Sequence, residues 1–173
     1  NLQGALYNNT ALMWACYRGH TETVQLLLLQ RDELNVNLQN KDDNTALTCA
    51  CLKGHTEIVQ LLLQRDELNV NLQNEYNNTA FILACDKGLT EIVQLLLQRD
   101  ELDVNLQGKY NYTALIWACQ KGHTEIVQLL LLHREELNVN LQGRYNNTAL
   151  IWACKEGHTE IVQLLLQREK LDV

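Results

Sequence analysis

Six cysteines and five histidines are the residues of this chain best suited to chemistry, and nearly all of them recur at fixed positions. Cys16, Cys51, Cys85, Cys119 and Cys154 each stand six residues after a Thr. His20, His55, His123 and His158 each follow a Gly, with Leu89 in their place once. A Cys four residues before a His, as in Cys119 and His123, is the pairing of a thiol nucleophile with its base. Here the pair recurs down the chain, and Cys119 belongs to an apolar stripe, so scaffold explains it better than a row of identical active sites. There is no Ser, so a Ser-His-Asp triad is impossible. Neither column suits a metal or a disulfide framework. Stacked helices sit about 8–10 Å apart, zinc ligands must lie about 2 Å from the ion, and a disulfide needs Cα atoms within about 7 Å. The cysteines therefore read as small buried apolar residues in a reducing compartment. Cys49 and Cys51 point in different directions on a helix. The histidines read as structural hydrogen-bonding groups, and the solitary His133 as a surface residue. Asn8, Asn77, Asn111 and Asn146 each begin an Asn-x-Thr sequon. Asn suits a left-handed turn and Thr caps a helix, so this pattern arises without a glycan. No Gly-rich phosphate loop is present, and no cofactor or metal is implied.

These columns are products of repetition. Thr10, Thr45, Thr79, Thr113 and Thr148, each followed by Ala-Leu or Ala-Phe, are spaced at 35, 34, 34 and 35 residues. Self-similarity at such a period marks a solenoid. In the copy from Asn71 to Asn105, Asn71–Asn78 is polar and rich in turn formers, hence a loop or hairpin. Thr79 caps a short helix over 80–87 with Phe81, Ala84 and Cys85 on its apolar stripe, and Gly88 ends it. Thr90 is the cap expected for a second helix, which carries Glu91 in its first turn and then Ile92, Val93, Leu95, Leu96 and Leu97. Gln98-Arg99-Asp100-Glu101 returns the chain to solvent. Such a helix pair buries its apolar face only by stacking on further copies.

Thr113 to Leu131, reading Thr-Ala-Leu-Ile-Trp-Ala-Cys and then Gly-His-Thr-Glu-Ile-Val-Gln-Leu-Leu-Leu, resembles the ankyrin repeat. The resemblance covers nearly the whole chain in five copies. It implies an all-α fold, an ankyrin-repeat solenoid of stacked antiparallel helix pairs with projecting hairpin loops. The chain reads as one array over 1–173, with repeats at about 1–36, 37–70, 71–104, 105–139 and 140–173. Several family features are replaced. The Pro after the Thr is always Ala. The His three residues after the Thr is Met13, Thr48, Ile82, Ile116 or Ile151. The hairpin Gly is Asn8, Asp43, Asn77, Asn111 or Asn146. A longer link such as Arg65-Asp66-Glu67-Leu68 replaces the Gly-Ala after helix two, which predicts an altered exit from that helix. The resemblance also implies a target for an asparaginyl hydroxylase, best matched at Asp103-Val104-Asn105.

A net charge of −7 argues against a nucleic-acid partner. The longest apolar runs, Leu26–Leu29 and Leu129–Leu132, fall far short of the roughly 18 residues of a membrane span. No signal peptide opens the chain, there is no initiator Met, and both ends fall inside a repeat. The expectation is an excerpt of a longer, intracellular, cytoplasmic protein.

Function is sought where the copies differ. Positions seven and eight after the Thr read Tyr17-Arg18, Leu52-Lys53, Asp86-Lys87, Gln120-Lys121 and Lys155-Glu156. The hairpin positions read Leu6-Tyr7, Lys41-Asp42, Glu75-Tyr76, Lys109-Tyr110 and Arg144-Tyr145. Tyr112 replaces the Asn found before every other Thr, and Trp14, Trp117 and Trp152 stand four residues after theirs. The resemblance implies that these columns line a concave binding face. Exposed Tyr and Trp beside Lys and Arg are what binding hot spots use. The expected function is a protein–protein interaction module, not an enzyme, with an unidentified protein partner contacted by Tyr76, Asp86, Lys87, Lys109, Tyr110, Tyr112, Trp117, Gln120, Lys121, Arg144, Tyr145 and Trp152. The alternatives are a structural spacer or an array that self-associates through uncapped ends, near Leu164–Leu166, to a homodimer. A third is the substrate-recruiting part of a larger enzyme.

Overall fold

The computed structural model describes residues 8–30, 33–133, 135–168 and 171–172. The expected pairs form throughout: α1 (Ala11–Arg18) with α2 (Thr21–Gln30), α3 (Ala46–Lys53) with α4 (Thr56–Leu62), α5 (Ala80–Asp86) with α6 (Thr90–Leu96), α7 (Ala114–Lys121) with α8 (Thr124–His133), and α9 (Ala149–Glu156) with α10 (Thr159–Leu166). First helices pack on first helices and second on second, giving two layers around one continuous core. Among the described residues there is no strand, and no helix is long and apolar enough to cross a membrane.

The first helices begin and end as their residue types demand. The Oγ1 atoms of Thr10, Thr45, Thr79, Thr113 and Thr148 accept the amides three residues on, at 3.2, 3.1, 3.1, 3.2 and 3.3 Å. In α3 the cap is reciprocal, since the Thr45 amide donates to Thr48 Oγ1 at 2.7 Å. Thr48 thus replaces the family's His with a local bond. Gly19, Gly54, Gly88, Gly122 and Gly157 terminate these helices with φ between 71° and 75°. The second helices start differently. Thr90 is the first residue of α6 rather than its cap, and Leu89 occupies the cap position without a side-chain bond. The link after Gly88 is tight: the Thr90 amide already donates to the Gly88 carbonyl at 3.0 Å, leaving the backbone to make the turn.

The spacing of 35 residues also has a local cause. The four-Leu repeats carry ten-residue second helices, α2 and α8, whereas α4 and α6 have seven. The extra residue leaves Leu29 and Leu132 exposed on the outer layer.

Side chains stitch each repeat to its neighbours, and nearly always through backbone atoms. Gln73 Nε2 donates to Asn77 O within its hairpin at 2.6 Å and to Gln107 O of the next at 3.1 Å; Gln39 and Gln107 do the same. The link after helix two gains its purpose here. Arg65, Arg99 and Arg168 each donate to a carbonyl ending the preceding second helix, at Leu28, Leu63 and Leu131, over 3.0, 2.8 and 3.1 Å. Glu67 and Glu101 hold the first two guanidinium groups at 2.8 and 2.6 Å.

Candidate functional site

The chemistry-bearing columns resolve first. Nε2 of His55, His123 and His158 meets the carbonyls of Tyr17, Asp86 and Gln120 in the preceding repeat at 3.4, 3.2 and 3.3 Å. Each ring also lies over the left-handed Gly of that repeat. The side chain of His133 lies outside the described residues. Cys16, Cys49, Cys51, Cys85 and Cys119 are buried, and burial pushes their thiols up, Cys49 to about 12. Such thiols are poor nucleophiles. Cys154 is the exception, because α9 leaves it exposed. Among the described residues no three His, Cys, Asp or Glu side chains converge as a metal site would require. All four sequon Asn residues adopt positive φ, from 53° to 58°, which explains Asn there by the turn itself. Both polar ends of Asn105 are occupied: Nδ2 donates to Glu136 O at 2.9 Å, and Oδ1 accepts the Asn138 amide at 2.8 Å.

Two hairpin designs carry the variable columns. In repeats two and three, Asn40 and Asn74 close the turn by accepting two amides on Oδ1: Asp42 and Asn44 at 3.0 and 2.8 Å, Tyr76 and Asn78 both at 3.0 Å. In repeats four and five Gly108 and Gly143 replace those Asn residues, and two consecutive left-handed residues make the turn instead. Tyr110 and Asn111 have φ of 64° and 58°, as do Tyr145 and Asn146. Tyr in this conformation is uncommon. It sets the two rings out at the hairpin tips, 44% and 75% exposed.

Between the tips runs an alternation of rings and cations. Lys109 Nζ lies 4.9 Å from the Tyr76 ring and 5.0 Å from the Tyr110 ring. The Arg144 guanidinium lies 5.5 Å from Tyr110 and 4.7 Å from Tyr145. Tyr110 packs edge-on to Tyr112 at 5.9 Å, and Tyr112 reaches Trp117 at 5.0 Å and Trp152 at 5.8 Å. Lys121 and Lys155 lie over the Trp117 and Trp152 rings at 5.9 and 4.3 Å. One connected cluster thus extends from the hairpin tips to the ends of α7 and α9.

Two residues expected as open contacts are internal to it. Tyr112 is 5% exposed and Trp152 8% exposed. The Tyr112 ring turns inward into space that exists because position 143 is Gly; a Cβ at Gly143 would overlap that ring. Burial raises the Tyr112 hydroxyl above its ordinary value. Trp117 and Gln120 are half-buried, as is Asp86; Tyr76, Lys87, Lys109, Lys121 and Arg144 are exposed with the two tip tyrosines. Asp86, Lys87 and Gln120 sit on neighbouring first helices outside the ring–cation cluster, although the Asp86 and Gln120 carbonyls serve the His contacts. Lys155 stood in the variable columns but was not among the expected contacts, although it lies over Trp152. The paired Gly108 and Gly143 were missed altogether; their exchange from Asn in these two repeats was the available signal. A second, smaller set joins Trp14 to Tyr17 at 6.2 Å, with Lys53 4.4 Å above Tyr17. Leu6 and Tyr7, the hairpin pair of the first repeat, lie outside the described residues.

The arrangement offers phenol hydroxyls, ring faces and fixed cations to a ligand. No curated protein sequence matches the chain. The family model for ankyrin repeats (3 copies) matches residues 12–108 and 102–173. With the capped helix pairs, the left-handed Gly residues and the His contacts between repeats, that match places the chain in the ankyrin-repeat family, whose members generally act as protein–protein interaction modules.

Proposed function

We propose that this array binds a partner protein, without catalysis, on the side formed by the hairpin tips and the ends of the first helices, the concave face of the family. Repeats three to five form the centre of the site. The observation that carries this reading is the ring–cation cluster from Tyr76 to Tyr145. Large, rigid aromatic groups and Arg dominate interface energetics because they bury much area at little entropic cost. Here they are already held in position by one another. Tyr112, Trp117 and Trp152 act beneath the surface as its support, while Tyr76, Lys109, Tyr110, Arg144, Tyr145 and Lys121 make the contacts. Asp86, Lys87 and Gln120 form a flank.

The test uses the variant Y110N/Y145N. Asn accepts the left-handed backbone more readily than Tyr, so the hairpins keep their shape and only the rings are lost. Proteins retained by the wild type on an affinity column are compared quantitatively with those retained by the variant. Depletion of a retained protein from the variant is the expected result. An identical set at identical yield would overturn the placement of the site.

A further inference from the structure

We infer that the partner presents an acidic, extended peptide segment to repeats four and five, with carboxylates at about every third residue. This inference rests on the proposed partner-binding face and adds the chemistry of what it takes.

The first argument is the distribution of charge. The chain carries a net −7, yet the hairpin tips and first helices of these two repeats expose Lys109, Lys121, Arg144 and Lys155 against Glu156. The acids of the same repeats lie elsewhere. Glu125 and Glu160 open the second helices, and Glu135 and Glu136 lie in the link. The ion pairs found among the described residues, Arg65–Glu67 and Arg99–Glu101, belong to the links. None of the four cations has a described carboxylate within ion-pair distance. An acidic molecule thus keeps on one side a strip where four cations meet the single acid Glu156 of these two repeats, none of them paired with a described carboxylate.

The second argument is order. A surface lysine ordinarily loses side-chain freedom when it forms an ion pair, which leaves exposed pairs nearly neutral in energy. Here Lys109 lies between Tyr76 and Tyr110, and Arg144 between Tyr110 and Tyr145. Their heads are positioned before a ligand arrives, and one side of each remains open to solvent. A carboxylate docking there meets a fixed cation and an adjacent phenol hydroxyl able to donate to it.

The third argument is spacing. Successive repeats stack about 10 Å apart, and an extended chain advances about 3.3 Å per residue. Acids three residues apart therefore match the step from Lys109 to Arg144. A long polyanion such as RNA fits less well. Beyond the strip it would run over acidic surface, and screening confines the attraction to about 8 Å at physiological ionic strength.

The test measures fluorescence anisotropy of a labelled peptide with Glu at every third position, of the same peptide with Gln replacing Glu, and of an oligouridylate of similar length. The proteins are the wild type, K109Q/K121Q/R144Q, and Q60E/Q94E/Q163E, which makes the same change in net charge at exposed second-helix positions. Circular dichroism verifies that each variant is folded. The Glu peptide is expected to bind the wild type about tenfold or more tighter than the Gln peptide. The first variant should lose about tenfold and the second less than about twofold. Three results would each overturn the inference: equal binding of the Glu and Gln peptides, equal losses in the two variants, or tighter binding of oligouridylate displacing the peptide. If the peptide fails while Y110N/Y145N still depletes a retained protein, the binding face stands and only its acidic ligand falls.

Discussion

The left-handed Gly residues between paired helices allow a positive φ, and Gly19, Gly88 and Gly122 also make room for a neighbour's His ring. At Gly122 a Cβ would lie 2.6 Å from the His158 ring, whereas at Gly157 it would meet nothing within 4 Å. G157A isolates the backbone cost of a positive φ, about 1–2 kcal/mol. G122A adds the displacement of an inter-repeat ring and should cost about 1–3 kcal/mol more; urea titration of both variants checks the difference. Gly143 is more specific still, because the obstacle is Tyr112, found in one repeat only. G143A should be strongly destabilising in the wild type and much milder in a Y112N background, giving a coupling of about 1–3 kcal/mol in a double-mutant cycle. Additive effects would show that the ring does not depend on that Gly. This pair also shows where the sequence was hard to read. The columns marked Tyr112 as a departure, and a departure on a repeat surface suggests exposure. The inward turn of Tyr112 follows from a second departure in the next repeat, and a comparison of single columns cannot link the two.

At the scale of elements, the helix pairs were legible almost to the residue, since Thr caps and Gly stops act within a few bonds of themselves. The second-helix starts were not, because Thr90 has the chemistry of a cap but sits one residue too late after the tight Gly88–Leu89 link. The link after helix two was legible only as a departure from the family. Its logic is non-local: Arg99 reaches back to a carbonyl of the preceding repeat, and Glu101 holds the guanidinium in place. R99A should therefore cost about 1.5–3 kcal/mol by leaving the Leu63 carbonyl without its charged donor. E101A removes the half-exposed partner of the pair and should cost less than about 1 kcal/mol. Thermal unfolding of the two variants distinguishes them; equal losses would mean that the pair, not the capping bond, is what matters.

Across the whole molecule the repeats share one core, so effects at equivalent positions accumulate along the stack. The thiols provide a test. Burial holds Cys16, Cys49, Cys51, Cys85 and Cys119 above the ordinary 9.0, Cys49 at about 12. The unfolded chain ionises them near the ordinary value, so above it the native state retains more protons. Their contribution is therefore complete below about pH 9 and is lost as pH rises from there toward the folded values. The unfolding free energy read from urea titration should fall steeply between about pH 9 and 11, by up to about 1.4 kcal/mol per pH unit for each thiol, and C51A should flatten the decline. The Gln, Asn and Arg ladders bear on a different matter. Most of their inter-repeat contacts end on main-chain atoms, which every amino acid supplies; Asn40 Nδ2 to Asn9 Oδ1 at 2.6 Å and Asn74 Nδ2 to Asn44 Oδ1 at 3.1 Å are the side-chain contacts among them. A unit that keeps its Gln, Arg and backbone geometry can therefore stack on neighbours whose variable residues differ. Tyr112 and Gly143 are different: the ring occupies space that only Gly at 143 leaves, so repeats four and five are matched to one another by residue type.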